Sequence, residues 1–528
     1  MEIRDIVAKT LKLEDRIKEI GQGYYHSTPI STTNTLNQNL YFGLSDWGLI
    51  GALTESTILL TGDTDRGKTD FAKILMTSLF GQEEKGWHKT DIDLDFGSMT
   101  YSDTNFNAIS DGLTSSELFK GKDFLYMPGL IWDEPNRAPA KLLNKLLHIL
   151  EKDITLENGE KLKSGFTYED LQGVERQYQF NMLAMNEGDE FVGTSEVDRA
   201  LRRRQTIEIP MDNFPTNMLD KILMARRKDV TLDIRNGEGC TKEVIDVYQF
   251  VKNIPISKEA EHLRLYLQSM NYCANSLTNS KRGIHFSEEL CSKPLSESVQ
   301  KAIRDESGKN TKKSCHYLAS YPDKMCPNIY EVTDGISIRL TNVAKAHALI
   351  RTIKTLQMIE DSPQIQTKNL AKRLFQQQKK NKHNDEMIQY LEKTNPDYDK
   401  KNLVQEFART LVQNIYVEPQ DIRSCLPFVA FSKIQMNPHW VKQNYQGSKM
   451  LALQKIGNVA YENVSRFQTE HPNLFHKITE GGELNKTENQ ILSEIYNADP
   501  WLKKSVEGYD KILSPNKQDS TNLLDLIA

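Results

Sequence analysis

The chain has no run of about 18 consecutive apolar residues, so no membrane-spanning helix is expected. Its opening stretch, MEIRDIVAKTLKLEDRIKEI, alternates charges and offers no apolar core for a secretory leader, so a cytoplasmic location is the expectation. Basic residues are not in excess: 67 Lys and Arg stand against 72 Asp and Glu, a net charge of −5. A whole-chain nucleic-acid footprint is therefore missing, which leaves only a local patch as a route to such a partner. Cysteine is sparse and scattered, at Cys240, Cys273, Cys291, Cys315, Cys326 and Cys425, with no CxxC pair or zinc-like spacing. Reduced thiols are the plain reading. Cys315, His316 and Cys326 come nearest to a metal set but lack a fourth ligand. No GxSxG elbow, HExxH pair or clear catalytic Cys–His grouping appears, which argues against the hydrolases that need them. No internal repeat is seen.

What is present is a chain of 528 residues, too long for one core and sized for two to four domains. Hydrophobic residues make up 38% and charged residues 26%, a globular balance. Residues 4–20 read as an amphipathic helix and 21–40, rich in Gly, Ser, Thr and Asn, as a loop. From 45 to 215, short apolar runs alternate with helical stretches: TILLT (57–61), LYMPGLIW (125–132), FNMLAM (180–185) and TIEI (206–209). That alternation predicts the α/β class, a parallel sheet with crossover helices. Polar residues follow each run, where an open sheet places its ligand. Beyond 215 the pattern is mainly helical. The expected division is an N-terminal segment 1–44, an α/β core 45–215, a helical region 216–437 with polar insertions near 278–330 and 356–405, and a C-terminal helical region 438–528 ending in a tail.

Two segments carry chemistry. Gly62-Asp63-Thr64-Asp65-Arg66-Gly67-Lys68-Thr69 fits GxxxxGK[ST] between an apolar strand and the helical pattern DFAKILMTSLF. Glycines let the backbone curl so that N–H groups point at phosphate oxygens, and the following helix adds its positive end. Lys68 would reach the β- and γ-phosphates of ATP, and Thr69 would hold Mg²⁺. Asp63 and Asp65 are odd choices in a loop that receives a polyanion. The second segment, LIWDE, ends an apolar run in Asp133 and Glu134. One carboxylate there can hold Mg²⁺ and its neighbour can polarise the attacking water; Asp133 is assigned to the metal and Glu134 to the water. A helix with apolar spacing Leu142, Leu146, Ile149 follows.

Asp133-Glu134-Pro135-Asn136-Arg137-Ala138-Pro139 resembles the DEINRAPP signature of MoxR-type AAA+ ATPases, with Pro135 in place of Ile. Residues 141–160, KLLNKLLHILEKDITLENGE, are similar to the family's next stretch. The resemblance implies further roles. Asn186, at the end of FNMLAMN, matches the sensor-1 position and would help place the attacking water. Residues 197–204, VDRALRRR, resemble a segment of the related McrB-type motors, with Gln205 replacing Phe. There Arg203 or Arg204 would reach a neighbouring subunit's γ-phosphate. A solvated basic helix end and a nucleic-acid contact remain alternatives for these arginines. Residues 335–351, GISIRLTNVAKAHALIR, look like the family's lid helix, with Arg339 at the sensor-2 position; YVEPQDIRSCL (416–426) is similar to the segment that follows. Stretches 91–123 and 157–178 are places for inserted hairpins.

The expectation is an ATP- and Mg²⁺-dependent motor that forms a hexameric ring and remodels a partner protein, one with a von Willebrand factor A domain being common in that family. A trans-acting arginine makes sense only in an oligomer. The alternatives are a motor subunit of a nucleic-acid machine and a scaffold that binds nucleotide without turnover.

Overall fold

The computed structural model describes residues 3–21, 29–35, 38–63, 66–81, 87–89, 123–137, 140–152, 154–155, 161–162, 164–186, 201–202, 204–213, 222, 239–278, 329–333, 335–361, 415–498, 502 and 505–506. They fall into two compact units, residues 1–255 with 345–416, and residues 256–344 with 417–528. Insertions 278–330 and 356–405 lie almost wholly outside the described residues, as do Thr64, Asp65, Arg203, Cys315, His316, Cys326, most of 91–123 and the C-terminal tail.

The first unit opens with helix α1 (Ile3–Gly21), which buries Ile6, Leu13 and Ile17 and packs on later helices. Next come β1 (Pro29–Thr35) and β2 (Gln38–Gly43), an antiparallel pair where the sequence reads as loop. The composition misleads because the β-branched threonines and the buried Ile30, Leu40 and Phe42 suit one face of a two-stranded ribbon. Helix α2 (Leu44–Leu53) is mostly apolar and buried throughout, its Asp46 accepting from the Gly43 N–H at the helix start.

The sheet follows. Strand β3 (Thr57–Gly62) leads into α3 (Lys68–Phe80), then β4 (Trp87–Lys89), β5 (Gly129–Asp133) and α4 (Ala140–Leu150). Two small antiparallel pairs come next, β6 (Ile154–Thr155) with β7 (Lys161–Leu162), and β8 (Phe166–Glu169) with β9 (Glu175–Tyr178). Strands β10 (Phe180–Asn186) and β11 (Ile207–Pro210) complete the sheet, and α5 (Thr241–Lys252) packs beside α1 and α2.

The order across the sheet is β11-β3-β10-β5-β4, with every pair parallel. Parallel strands are covered on both faces, which is why TILL and NMLAM read as continuous apolar runs. Ile58, Leu59, Leu60, Met182 and Leu183 have no exposed surface. Under α4 the core is Leu59, Trp132, Leu143, Leu146, Ile149 and Leu183. Trp132 satisfies its indole N–H on Asn181 Oδ1 at 3.1 Å. Strand β10 inserts between β3 and β5, so the two strands with chemical motifs are second neighbours and the strand ending in Asn186 lies between them.

The second unit is mainly helical. It contains α6 (Lys258–Thr278), the pair β12 (Ile329–Val332) and β13 (Ile434–Met436), the start of α7 (Ile336–Asp361), α8 (Pro419–Val429), α9 (Pro438–Tyr445), α10 (Lys449–Glu470), α11 (Pro472–Glu480) and α12 (Lys486–Ala498). Fully buried His262 holds part of it together: Nε2 lies 3.0 Å from Ser505 Oγ and the ring stacks on Phe475. Burial pulls the His262 pKa down to about 3, so the ring is neutral and serves packing. Cys240 and Cys425 are buried free thiols. The α/β core followed by a helical region is the class the alternation predicts. Among the described residues, no helix is long and apolar enough to cross a membrane, and no cluster of His, Cys, Asp or Glu could hold a metal ion by itself.

Candidate functional site

The loop between β3 and α3 is bounded by two glycines in backbone conformations that ordinary side chains resist, Gly62 at φ 137° and Gly67 at φ 74°. Gly67 stands immediately before the first turn of α3, so Lys68 and Thr69 begin the helix with its free N–H groups around them. Lys68 is buried, and its Nζ donates to the loop's own Gly62 and Asp63 carbonyls. Burial pushes its ammonium below the usual lysine range, while the carboxylates of Asp212, Asp133, Asp63 and Glu134 pull it back up. A desolvated ammonium ringed by acids is held at the loop's centre. The Asp63 side chain is 67% exposed, so the first of the two unexpected aspartates points its charge to the rim.

On the other side of β10, strand β5 ends at Asp133, and Thr69 donates its hydroxyl to Asp133 Oδ1 at 3.1 Å. A hydroxyl and a carboxylate so placed are hard oxygen donors of the kind a small divalent cation selects. The next residue, Glu134, has φ 49°, a left-handed conformation that costs a non-glycine residue about 1 kcal/mol or more. The neighbouring strand holds it there: Glu134 N–H donates to Ala184 O at 2.8 Å. Asn186 Nδ2 donates to Glu134 Oε1 at 2.6 Å, and Asn136 Nδ2 donates to the Asn186 carbonyl at 3.2 Å. Pro135 starts the tight turn that returns Asn136 to β10. Register explains the meeting: Asn186 pairs with Gly62, and Ala184 with Asp133.

Lys68, Thr69, Asp133, Glu134 and Asn186 are thus together at the carboxyl ends of three adjacent parallel strands. Arg204 is elsewhere: it pairs with Glu151, and both side chains are substantially exposed. Arg202 pairs with the buried Glu208. Arg339 lies in the first turn of α7, within the second unit. The side chain of Arg137 and the positions of Thr64, Asp65 and Arg203 lie outside what is described. The polar stretch before β10 does hold a hairpin, β8–β9, whose turn is tied by Asp170 accepting from the Gln172 and Val174 N–H groups and exposes Leu171.

Asp212 was not legible beforehand. It follows β11 in the turn Met211–Asn213, accepts from Asp63 N–H at 2.7 Å and pairs with Arg66 Nε at 2.7 Å. No motif marks it, and its loop partner Asp63 is 149 residues away.

No protein-family model matches the chain, and no curated protein matches it significantly. Among solved structures, one from Cytophaga hutchinsonii, described provisionally as an ATPase, aligns over 86% of this chain and 98% of its own. The TM-score is 0.45 and the identity 15%, a likeness too loose to carry fold or activity across.

Proposed function

We propose that this chain hydrolyses ATP at the loop Gly62–Thr69 and works as an AAA+ motor. The observation that carries the reading is the meeting of Thr69 with Asp133 and of Glu134 with Asn186 beside Lys68. Thr69 and Asp133 would hold Mg²⁺, which supplies neutralisation of phosphate charge. Lys68, already desolvated, would bind the β- and γ-phosphoryl oxygens. Glu134 would accept a proton from the attacking water as its oxygen bonds to phosphorus and the β–γ bridge bond breaks. The Asn186 amide keeps that carboxylate turned toward the loop.

In the fuller proposal, Mg²⁺·ATP binds between subunits of a ring, most simply a hexamer. Arg203 or Arg204 would act on the neighbour's γ-phosphate and Arg339 on the nucleotide of its own chain. The work done would be remodelling of a partner protein, with von Willebrand factor A domains as the partner class suggested by the MoxR resemblance. For Arg204, this role requires release from Glu151.

Steady-state ATP hydrolysis by the purified chain, with and without DNA and beside Lys68→Ala, tests the reading. Turnover that disappears in Lys68→Ala and ignores DNA is expected. Turnover retained by Lys68→Ala would refute the loop assignment, and strong stimulation by DNA would shift the reading to a nucleic-acid machine. Mixing subunits that lack Arg203 and Arg204 with subunits that lack Lys68 tests the ring. Turnover strictly proportional to intact sites would argue against a trans-acting arginine.

A further inference from the structure

The carboxylate of Asp212 meets the loop at three points. Oδ2 accepts from Asp63 N–H and Oδ1 accepts from Arg66 Nε, both at 2.7 Å. The same carboxylate lies against Gly62, where an added Cβ would sit 2.6 Å from Oδ2. The first glycine of the loop is thus required twice, once by its φ of 137° and once by the room Asp212 takes. Arg66 also stands 4.0 Å from the Asp63 carboxylate, so Asp63, Arg66 and Asp212 close a small ring of charge. Register brings Asp212 there: Pro210 pairs with Thr61, so the chain leaves β11 level with the start of the loop.

A negative group beside a phosphate-binding loop lowers anion affinity by its charge alone. The lysine at the loop's centre already faces Asp133, Glu134 and Asp63 as well. Attraction of nucleotide therefore does not account for an aspartate here, whereas its two hydrogen bonds and its contact with Gly62 do. A glycine-containing loop loses much conformational freedom on ordering, and a tether made before the ligand arrives removes that cost from binding.

We propose that Asp212 is a positioning residue for the nucleotide site: by holding Asp63 N–H, and Arg66 beside it, it keeps the loop curled for phosphate. This rests on the nucleotide reading and adds to it a residue and an order of events. The tether to the backbone amide is the main element and the Arg66 pair, half exposed, the lesser one.

Asp212→Asn keeps an oxygen for Asp63 N–H and loses the ion pair; Asp212→Ala loses both. Hydrogen exchange in the peptide covering residues 62–69 is read first, in nucleotide-free protein. Binding of a non-hydrolysable ATP analogue with Mg²⁺ is read second, and kcat at saturating ATP third. In Asp212→Ala, exchange and Kd should each rise ~10-fold, the scale of one charge-assisted hydrogen bond, while kcat stays within ~2-fold. Asp212→Asn should recover most of both losses. If Asp212→Ala does not fold, Asp212→Ser, too short to reach the amide, takes its place. Unchanged exchange and Kd in the truncated variant, or Asp212→Asn as impaired as Asp212→Ala, overturns the positioning role and leaves the nucleotide reading intact. Wild-type protein that fails to bind the analogue overturns the nucleotide reading, and this role with it.

Discussion

Two glutamates at opposite ends of the same sheet share an uncommon backbone and meet different surroundings. Glu55 has φ 52° just before β3 begins, and Glu134 has φ 49° just after β5 ends. Glu55 is a junction. Its Oε1 accepts from Lys152 Nζ and from Gln179 N–H, and its Oε2 from the Tyr248 hydroxyl, so it ties α5 and the segments before β6 and β10 to the start of β3. Burial, and then the Glu55 charge, push the Tyr248 hydroxyl pKa far above its ordinary range, so it remains a donor. Glu134 Oε1 accepts from Asn186 Nδ2, and its charge, after those of Asp212, Asp133 and Asp63, acts on the buried Lys68. A left-handed glutamate is therefore no sign of chemistry by itself. What the carboxylate faces decides: Glu55 meets matched donors, whereas Glu134 meets the Asn186 amide beside a buried lysine on which several acids act.

The sharpest way to break this comparison is to neutralise each glutamate in turn. Glu134→Gln should lower turnover by about 10²–10⁴-fold, the worth of a positioned base, with ATP binding and the thermal midpoint kept. Undiminished phosphate release would remove Glu134 from its role. Glu55→Ala should do the reverse. Leaving Tyr248, Lys152 and the Gln179 amide without their acceptor should cost about 3 kcal/mol in urea unfolding, with turnover per folded molecule preserved. A loss of turnover larger than the loss of folded protein would contradict the division.

A third carboxylate sharpens the contrast because its burial is poorly matched. Glu14 in α1 is 3% exposed, and its pKa is raised to about 7, by burial first and the Asp46 carboxylate second. The folded state therefore binds this proton more tightly than the unfolded chain does. The stability gained below the unfolded value of 4.5 is lost as pH rises toward 7. Glu14→Gln should flatten that decline, an effect of about 3 kcal/mol across the window, visible as denaturation midpoints measured from pH 4 to pH 8. An unaltered slope would place the titration elsewhere.

The smallest effect concerns Arg204. Its exposed pair with Glu151 should contribute about 0.2–1 kcal/mol, so Arg204→Ala should barely move the midpoint. A drop in turnover out of proportion to that shift would select Arg204 over Arg203 as the trans-acting residue; unchanged turnover would select against it.

Much of the site was legible because its signals are local. The loop is marked by glycine spacing between strand and helix, and Asp133, Glu134 and Asn186 by position at the ends of apolar runs. The apolar runs also located β3, β5 and β10 to within a few residues. Asp212 and Glu55 carry no such mark. Their partners come from distant segments, and only strand order and register bring them together. The β1–β2 ribbon was hidden for another reason: a two-stranded pair with one polar face looks like loop in composition.

The sheet order has a consequence for how the protein comes into being. Thr69 meets Asp133 across 64 residues, Glu134 meets Asn186 across 52, and Asp63 meets Asp212 across 149. Contacts that close such long loops form late, because the chain loses that freedom before the contacts return anything. A growing chain would therefore have the loop Gly62–Thr69 synthesised long before Asp212 could emerge and meet Asp63. On the nucleotide reading proposed above, nucleotide present during refolding should bind tightly only after β11 has joined the sheet, and so act as a clamp on the finished register rather than as a seed for it.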